Sequence, residues 1–356
     1  MSKNKILHIV QEASYNGATV YAYRLCTNLK EYDQEIISCF NGNAYDEICL
    51  KIECEYLINS FDVGYKYLIL KYWRFTQFIR KNNYNIIHYH QGGVGILLLA
   101  YLFRKKAVIV HHLHSGNLIG DNTKKNISIV HRTILKYLSN KTYQLAVAEH
   151  VFNEYSEKIR YIKNLKLIRN CTLYVFEQKT KKCSAVGFIG RFTQEKGFSF
   201  LLELSIELKK DFPELKILLM GEDPKLFKTH FDELQTNIKI FNPQLDTEGF
   251  YRSIDFLFFL STAMEGMPLV ILEAISFDVG VIAFSSPALK EIFGDDYPLF
   301  IKEKNEIMKF LSLYYQNKID LDKLSAIHKN ISTSHNENEM FSKIRKFYTS
   351  ILDKPY

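Results

Sequence analysis

No apolar stretch in this chain of 356 residues is long enough to cross a bilayer. The longest, residues 95–103, has nine residues, against the roughly 20 that a spanning helix needs. Nor is a secretory leader expected, because Lys3 and Lys5 run straight into the strand-like segment I-L-H-I-V at residues 6–10. The six cysteines, Cys26, Cys39, Cys49, Cys54, Cys171 and Cys183, include no C-x-x-C pair and no companion histidine at metal spacing. Buried or idle thiols in a cytoplasmic protein are the expectation. The G-x-G-x-x-G of a dinucleotide fold is missing, which argues against an NAD or FAD oxidoreductase. No nucleic-acid-binding module, internal repeat or low-complexity tract is read, and no Asp-x-Asp motif is read as a metal site.

What is there is the composition of a globular protein long enough for two domains, 47% hydrophobic and 24% charged. The net charge of +7 is uneven: residues 1–170 hold 23 Lys and Arg against 13 Asp and Glu. A basic first half suits phosphate groups of lipid or nucleotide. Residues 65–83 interleave Lys66, Lys71, Arg74, Arg80 and Lys81 with aromatics. Such a helix can lie on an anionic membrane, or be a core helix with a solvated basic face.

Strand-like runs alternate with helical patterns along the whole chain, as in α/β folds. Residues 6–10 form a first strand, followed by a loop to Gly17 and a helical pattern from Val20 to Leu29. Strand, glycine turn and helix make a phosphate-cradling arrangement; an ordinary turn is the alternative. Two later strands end in histidines, one at His88 and His90, the other at His112 and His114. A His-x-His spacing puts both rings on one face of an extended strand. It could suggest a metal, but no acidic or Cys companion supports one; a structural role is expected for His88 and His90.

Two stretches in the second half carry the sharpest chemistry. In A-V-G-F-I-G-R-F-T-Q-E-K-G-F (residues 185–198), Arg191 leaves a strand end as a fork able to hold two phosphate oxygens, and Lys196 returns as a point charge before the turn at Gly197. In S-T-A-M-E-G-M-P-L-V-I-L-E-A (residues 261–274), Glu265 and Glu273 flank a glycine turn and a helix expected to start near Pro268. Such a helix start offers N–H groups to an anion. Solvated cations on a loop, and an ordinary turn with a Glu at each end, are the bland alternatives.

These two stretches resemble the signature of retaining glycosyltransferases of family four. That group of GT-B enzymes includes many bacterial lipopolysaccharide and capsule transferases. The matches are Arg191, Glu195, Lys196 and Gly197 in one stretch, and Ser261, Glu265, Gly266, Pro268, Glu273 and Ala274 in the other. Asn16-Gly17 replaces the family's Gly-Gly, and Asn242-Pro243 the glycine of its base-binding loop. The resemblance implies an α/β GT-B fold, with two Rossmann-like domains whose parallel sheets face a central cleft. The expected division is an acceptor-side domain over 1–172, a nucleotide-sugar domain over 173–335, and a helix over 336–356 crossing back.

It further implies transfer of a hexosyl or N-acetylhexosaminyl group with retention, from a UDP-sugar rather than a GDP-sugar, in surface polysaccharide assembly (capsule, lipopolysaccharide or exopolysaccharide). The acceptor would be a glycan or lipid-linked glycan, met in the cytoplasm or at the inner face of the membrane, and no metal or other cofactor is required. Arg191 and Lys196 would hold the diphosphate, and Gly17, Gly266, Met267, Pro268, Leu269 and Val270 would line the donor site. Glu265 would bind the donor sugar and Glu273 the ribose, while His114, with His112 as alternate, would sit at the reacting sugar. No protein nucleophile is implied, because the leaving phosphate takes the acceptor's proton. A silent sugar-binding partner subunit and a GT-B sugar-nucleotide epimerase are the rival readings.

Overall fold

The computed structural model describes residues 3–40, 54–56, 65–90, 93–115, 129–159, 162, 164–221 and 238–353. The chain forms two compact units. The first comprises Met1–Arg169, Glu265–Met267 and Asn338–Tyr356, and the second Asn170–Met264 and Pro268–Glu337.

In the first unit the elements run β1 (Lys5–Glu12), α1 (Gly17–Asn28), β2 (Asp33–Phe40), β3 (Cys54–Tyr56), α2 (Tyr65–Lys81), β4 (Ile86–Tyr89) and α3 (Val94–Phe103). They continue with β5 (Val108–Leu113), α4 (Ile129–Ser139), β6 (Tyr143–Ala146), α5 (Glu149–Lys158) and β7 (Leu165–Leu167). The strands form one parallel sheet in the order β3-β2-β1-β4-β5-β6-β7. Its two faces differ because side chains alternate along a strand. One face is a hydrocarbon core: Leu7, Ile9, Ile37, Ile87 and Ile109 pack with Phe75 and Ile79 of α2, Leu97 and Ala100 of α3, and Leu135 and Leu138 of α4. The other carries His8, in register with His88, and then His90, His112 and His114.

The second unit runs β8 (Ala185–Ile189), a 3-10 turn (Gln194–Lys196), α6 (Phe198–Asp211), β9 (Lys216–Met220), β10 (Ile238–Phe241), α7 (Glu248–Arg252) and β11 (Phe256–Phe259). After these come α8 (Leu269–Ser276), β12 (Gly280–Phe284), α9 (Pro287–Phe293), β13 (Phe300–Ile301), α10 (Lys304–Tyr315) and α11 (Leu321–Ser334). This sheet is also parallel, in the order β10-β9-β8-β11-β12-β13. The last helix, α12 (Glu337–Leu352), buries Met340, Phe341, Ile344, Phe347, Tyr348 and Ile351.

Both sheets reverse their strand order beside the first strand, between β1 and β4 and between β8 and β11. Parallel α/β sheets of this kind take ligands just beyond the carboxyl ends of the strands at the reversal. Among the described residues no helix is long and apolar enough to cross a membrane.

One helix start differs from the sequence reading and another falls within a residue of it. α1 begins at Gly17, not Val20, because Asn16 caps it: its Oδ1 accepts from Thr19 N at 3.0 Å. α8 begins at Leu269, with Pro268 outside the first turn at ψ 119°. Several expected features lie outside the described residues: Glu222 and Asp223 after β9, Asn237 before β10, Cys49, and the side chains of Lys66 and Lys71.

Candidate functional site

In each unit the chemistry-bearing residues follow strands at or beside the reversal, β1, β4 and β5 in the first and β8 and β11 in the second. In the second unit, β8 ends at Ile189 and Gly190 turns the chain at φ 150°. Arg191 follows, exposed. A short turn is closed by Lys196 N–H donating to Thr193 O at 3.1 Å and Gly197 N–H to Gln194 O at 2.9 Å. Gly197 is left-handed, at φ 78°, and a Cβ there would stand 2.3 Å from Leu260 O. Only glycine fits both demands. From the other side, Thr262 N–H donates to Glu195 O at 2.9 Å. The Arg191–Lys196 loop is thereby fastened to the residues leaving β11, which is why the two motifs, far apart in sequence, act as one surface.

α8 follows from that surface with no side chain capping its first turn, so the N–H groups of Leu269 and Val270 sit where the positive end of the helix favours an anion. Glu273 lies deeper on α8 and is 4% exposed. Its Oε2 accepts from Thr247 Oγ1 at 3.1 Å and lies 3.0 Å from Tyr251 OH, whose one proton also faces Val270 O at 3.1 Å. The carboxylate therefore sits against two buried hydroxyls that no local pattern marks. Asp320 and Asp322 do have Asp-x-Asp spacing. Asp320 is the N-cap of α11, accepting from Lys323 N at 3.0 Å.

In the first unit, the helix start at Gly17 has open space where a Cβ would be. Asn16 takes the Thr19 N–H, and the helix's own ladder cannot take those of Gly17 and Ala18. Glu265, Gly266 and Met267 belong to this unit. Glu265 O accepts from His150 Nε2 at 3.0 Å, and a Cβ on Gly266 would meet His114 O at 2.2 Å and Val147 Cγ2 at 2.8 Å. Gly266 is thus the residue that lets this turn lie against the His114 backbone. Gly266 lies against His114 here, with Glu265 and Met267 on the same turn, while Arg191, Lys196, Pro268, Leu269, Val270 and Glu273 all belong to the second unit.

The histidine face is more extensive than its two His-x-His pairs suggest. His88 and His90 stack with ring centroids 4.2 Å apart, and His112 and His114 at 4.4 Å. His8 joins them from β1, with Nδ1 3.0 Å from His90 Nε2. Tyr21 of α1 lies edge-on to His112 and His114, and Tyr348 of α12 meets His88 Nδ1 at 2.5 Å. Burial pushes His8 down to about 4 and His114 to about 3, and it holds His88, His90 and His112 well below the ordinary imidazole range. All are neutral at pH 7.

His8, His88 and His90, and likewise His90, His112 and His114, bring ring nitrogens within 4.8 Å of one another. Sequence reasoning weighed a metal only at the His-x-His pairs and missed His8, whose inward place in I-L-H-I-V was the available signal. The geometry does not favour a metal. Lone pairs lie in the ring planes, so stacked rings aim them side by side. The 3.0 Å N···N contacts also fall short of the roughly 3.3 Å that tetrahedral bonds of about 2.0–2.1 Å would span.

Comparison with known proteins agrees with this arrangement. The model for Glycosyltransferase Family 4 matches residues 15–171, and that for Glycosyl transferases group 1 matches residues 172–313. An uncharacterized glycosyltransferase of Haemophilus influenzae is 29% identical over 52% of this chain and 56% of its own length, so the match spans little more than half of that relative. The amylovoran biosynthesis glycosyltransferase AmsD of Erwinia amylovora is 23% identical over 85% of this chain and 87% of its own. Among solved structures, Anabaena Alr3699/HepE in complex with UDP and glucose superposes with a TM-score of 0.75 at 16% identity, covering 98% of this chain and 100% of that one. With two consecutive glycosyltransferase family matches, each over less than half of the chain, laid over two parallel α/β sheets, the chain has the GT-B fold and is similar to glycosyltransferases in both halves.

Proposed function

We propose that this chain moves a sugar from a UDP-sugar to a glycan or lipid-linked glycan acceptor, with retention of configuration, in the assembly of a bacterial surface polysaccharide. The observation that carries the reading is the fastening of the Arg191–Lys196 loop to the β11 end through Gly197 and Glu195. It sets a guanidinium, an ammonium and an uncapped helix start on neighbouring loops, a combination suited to a diphosphate. Arg191 and Lys196 neutralise the charge that grows on the departing UDP, helped by the N–H groups of Leu269 and Val270. Glu273, oriented by Thr247 and Tyr251, takes the ribose hydroxyls, and Glu265 the donor sugar hydroxyls.

The first unit, with Gly17 and His114, supplies the acceptor side and a contact to the reacting sugar. No protein nucleophile and no metal are assigned; the leaving phosphate takes the acceptor proton. The UDP in the HepE structure supports the base, and the polysaccharide assignment of AmsD supports the pathway class. The interleaved cations of α2 support peripheral contact with an anionic membrane in the cytoplasm.

Transfer from a panel of UDP-sugars, followed by mass spectrometry and anomeric NMR of the product, tests the reading. Single substitutions Arg191→Ala, Lys196→Ala and Glu265→Gln should each lower kcat about 10²- to 10³-fold. An inverted product would overturn retention, and three fully active variants would overturn the site.

A further inference from the structure

The histidine face contains one hydrogen-bonded chain whose direction is fixed at its far end. The Gln34 side chain places Nε2 2.9 Å from Leu29 O and 3.2 Å from Leu25 O. Carbonyl oxygens only accept, so that end of the amide must be the NH₂ and the other end the oxygen. Gln34 Oε1 faces His8 Nε2 at 2.9 Å, and His8 Nε2 must therefore carry a proton. A neutral imidazole has one donor and one acceptor nitrogen. His8 Nδ1 is then the acceptor, and the proton in its 3.0 Å contact belongs to His90 Nε2. His90 Nδ1 is in turn an acceptor, lying 3.0 Å from His114 Nε2.

We infer that Gln34, His8 and His90 are positioning residues that lock His114 as its Nε2–H tautomer, leaving Nδ1 as a proton acceptor toward a sugar hydroxyl. Burial keeps His8, His90 and His114 neutral, the condition under which the chain has a single direction. The neighbouring chain, Tyr348 to His88 to His112, has no such anchor, because a phenol can donate or accept. The consequence for catalysis rests on the reading that places His114 at the reacting sugar; the tautomer itself does not.

The test is long-range ¹H–¹⁵N correlation on the full-length protein labelled at histidine nitrogen, at pH 7, with signals assigned by single His→Gln variants. His8, His90 and His114 should each show a protonated Nε2 and a bare Nδ1. Gln34→Met, which removes the amide, should convert His114 to a mixture of tautomers. If Gln34→Met does not fold, the spectrum of the unaltered protein still decides: a protonated His114 Nδ1 overturns the relay. So does a stoichiometric shift of these signals on adding Zn²⁺ alone, which would make the cluster a metal site. If the tautomer is as inferred but His114→Ala transfers sugar at the full rate, the relay stands and the placement of His114 at the reaction falls.

Discussion

Gly197 and Gly266 each stand where a Cβ would meet a backbone oxygen, of Leu260 and His114 respectively, whereas Gly17 faces open space. At Gly197 a side chain would need a left-handed backbone and would stand 2.3 Å from Leu260 O. Gly197→Ala is therefore expected to cost about 2 kcal/mol or more of stability, read as a lower denaturation midpoint. Gly17 faces open space, so Gly17→Ala should leave stability within about 0.5 kcal/mol while raising KM if that helix start meets substrate. Equal destabilisation by the two variants would contradict this account of the glycines.

The buried histidines set an acid limit. Their folded pKa values lie below the unfolded value of about 6.5, so the unfolded chain binds more protons as pH falls. Stability is fully present above pH 6.5 and is lost as pH drops through that value toward about 4 and 3, where His8 and His114 protonate in the fold. Urea midpoints should fall over that window, and His8→Gln should flatten the fall. A midpoint independent of pH between 7 and 4.5 would contradict it.

At the scale of elements, α8 and α7 act as a pair, since Thr247 at the start of α7 and Tyr251 within it fix Glu273 of α8. Tyr251→Phe should raise the KM for donor several-fold with a smaller effect on kcat, because it loosens a binding carboxylate without touching the leaving group. Steady-state kinetics checks this; an unchanged KM would contradict a role for Tyr251 in orienting Glu273 for the donor. α12 has a separate duty. Its buried residues and the Tyr348–His88 contact cover the histidine face, so ending the chain before Glu337 should destabilise the first unit, whereas Tyr348→Phe should cost only about 1–3 kcal/mol for the lost buried hydrogen bond. Circular dichroism melts distinguish the two.

At the scale of the molecule, a seven-stranded and a six-stranded sheet share the same reversal, between the first and fourth strand of each, and candidate loops leave those strands, β1 and β4 in one unit and β8 and β11 in the other. The alternation of strand and helix was legible in the sequence, because strands buried on both faces appear as continuous apolar runs such as F-L-F-F at 256–259, and the candidate phosphate loop stands out by its short spacing from Arg191 to Gly197; the order of the strands was not. What was not legible joins distant residues. The relay links positions 8, 34, 90 and 114 on separate strands and the turn beyond them, and Glu273 depends on donors 22 and 26 positions away. Neither leaves a local pattern. Pro268 marked a helix start correctly to within one residue, while Asn16 moved the start of α1 three residues forward by capping it, a role that depends on backbone geometry.

If the second unit holds a nucleoside diphosphate through Arg191 and Lys196, calorimetric titration with UDP, GDP and ADP will show it. UDP should bind, and Arg191→Ala, folded as judged by its melt, should bind it at least tenfold more weakly. Binding of none of the three, or UDP binding unchanged in Arg191→Ala, would contradict it.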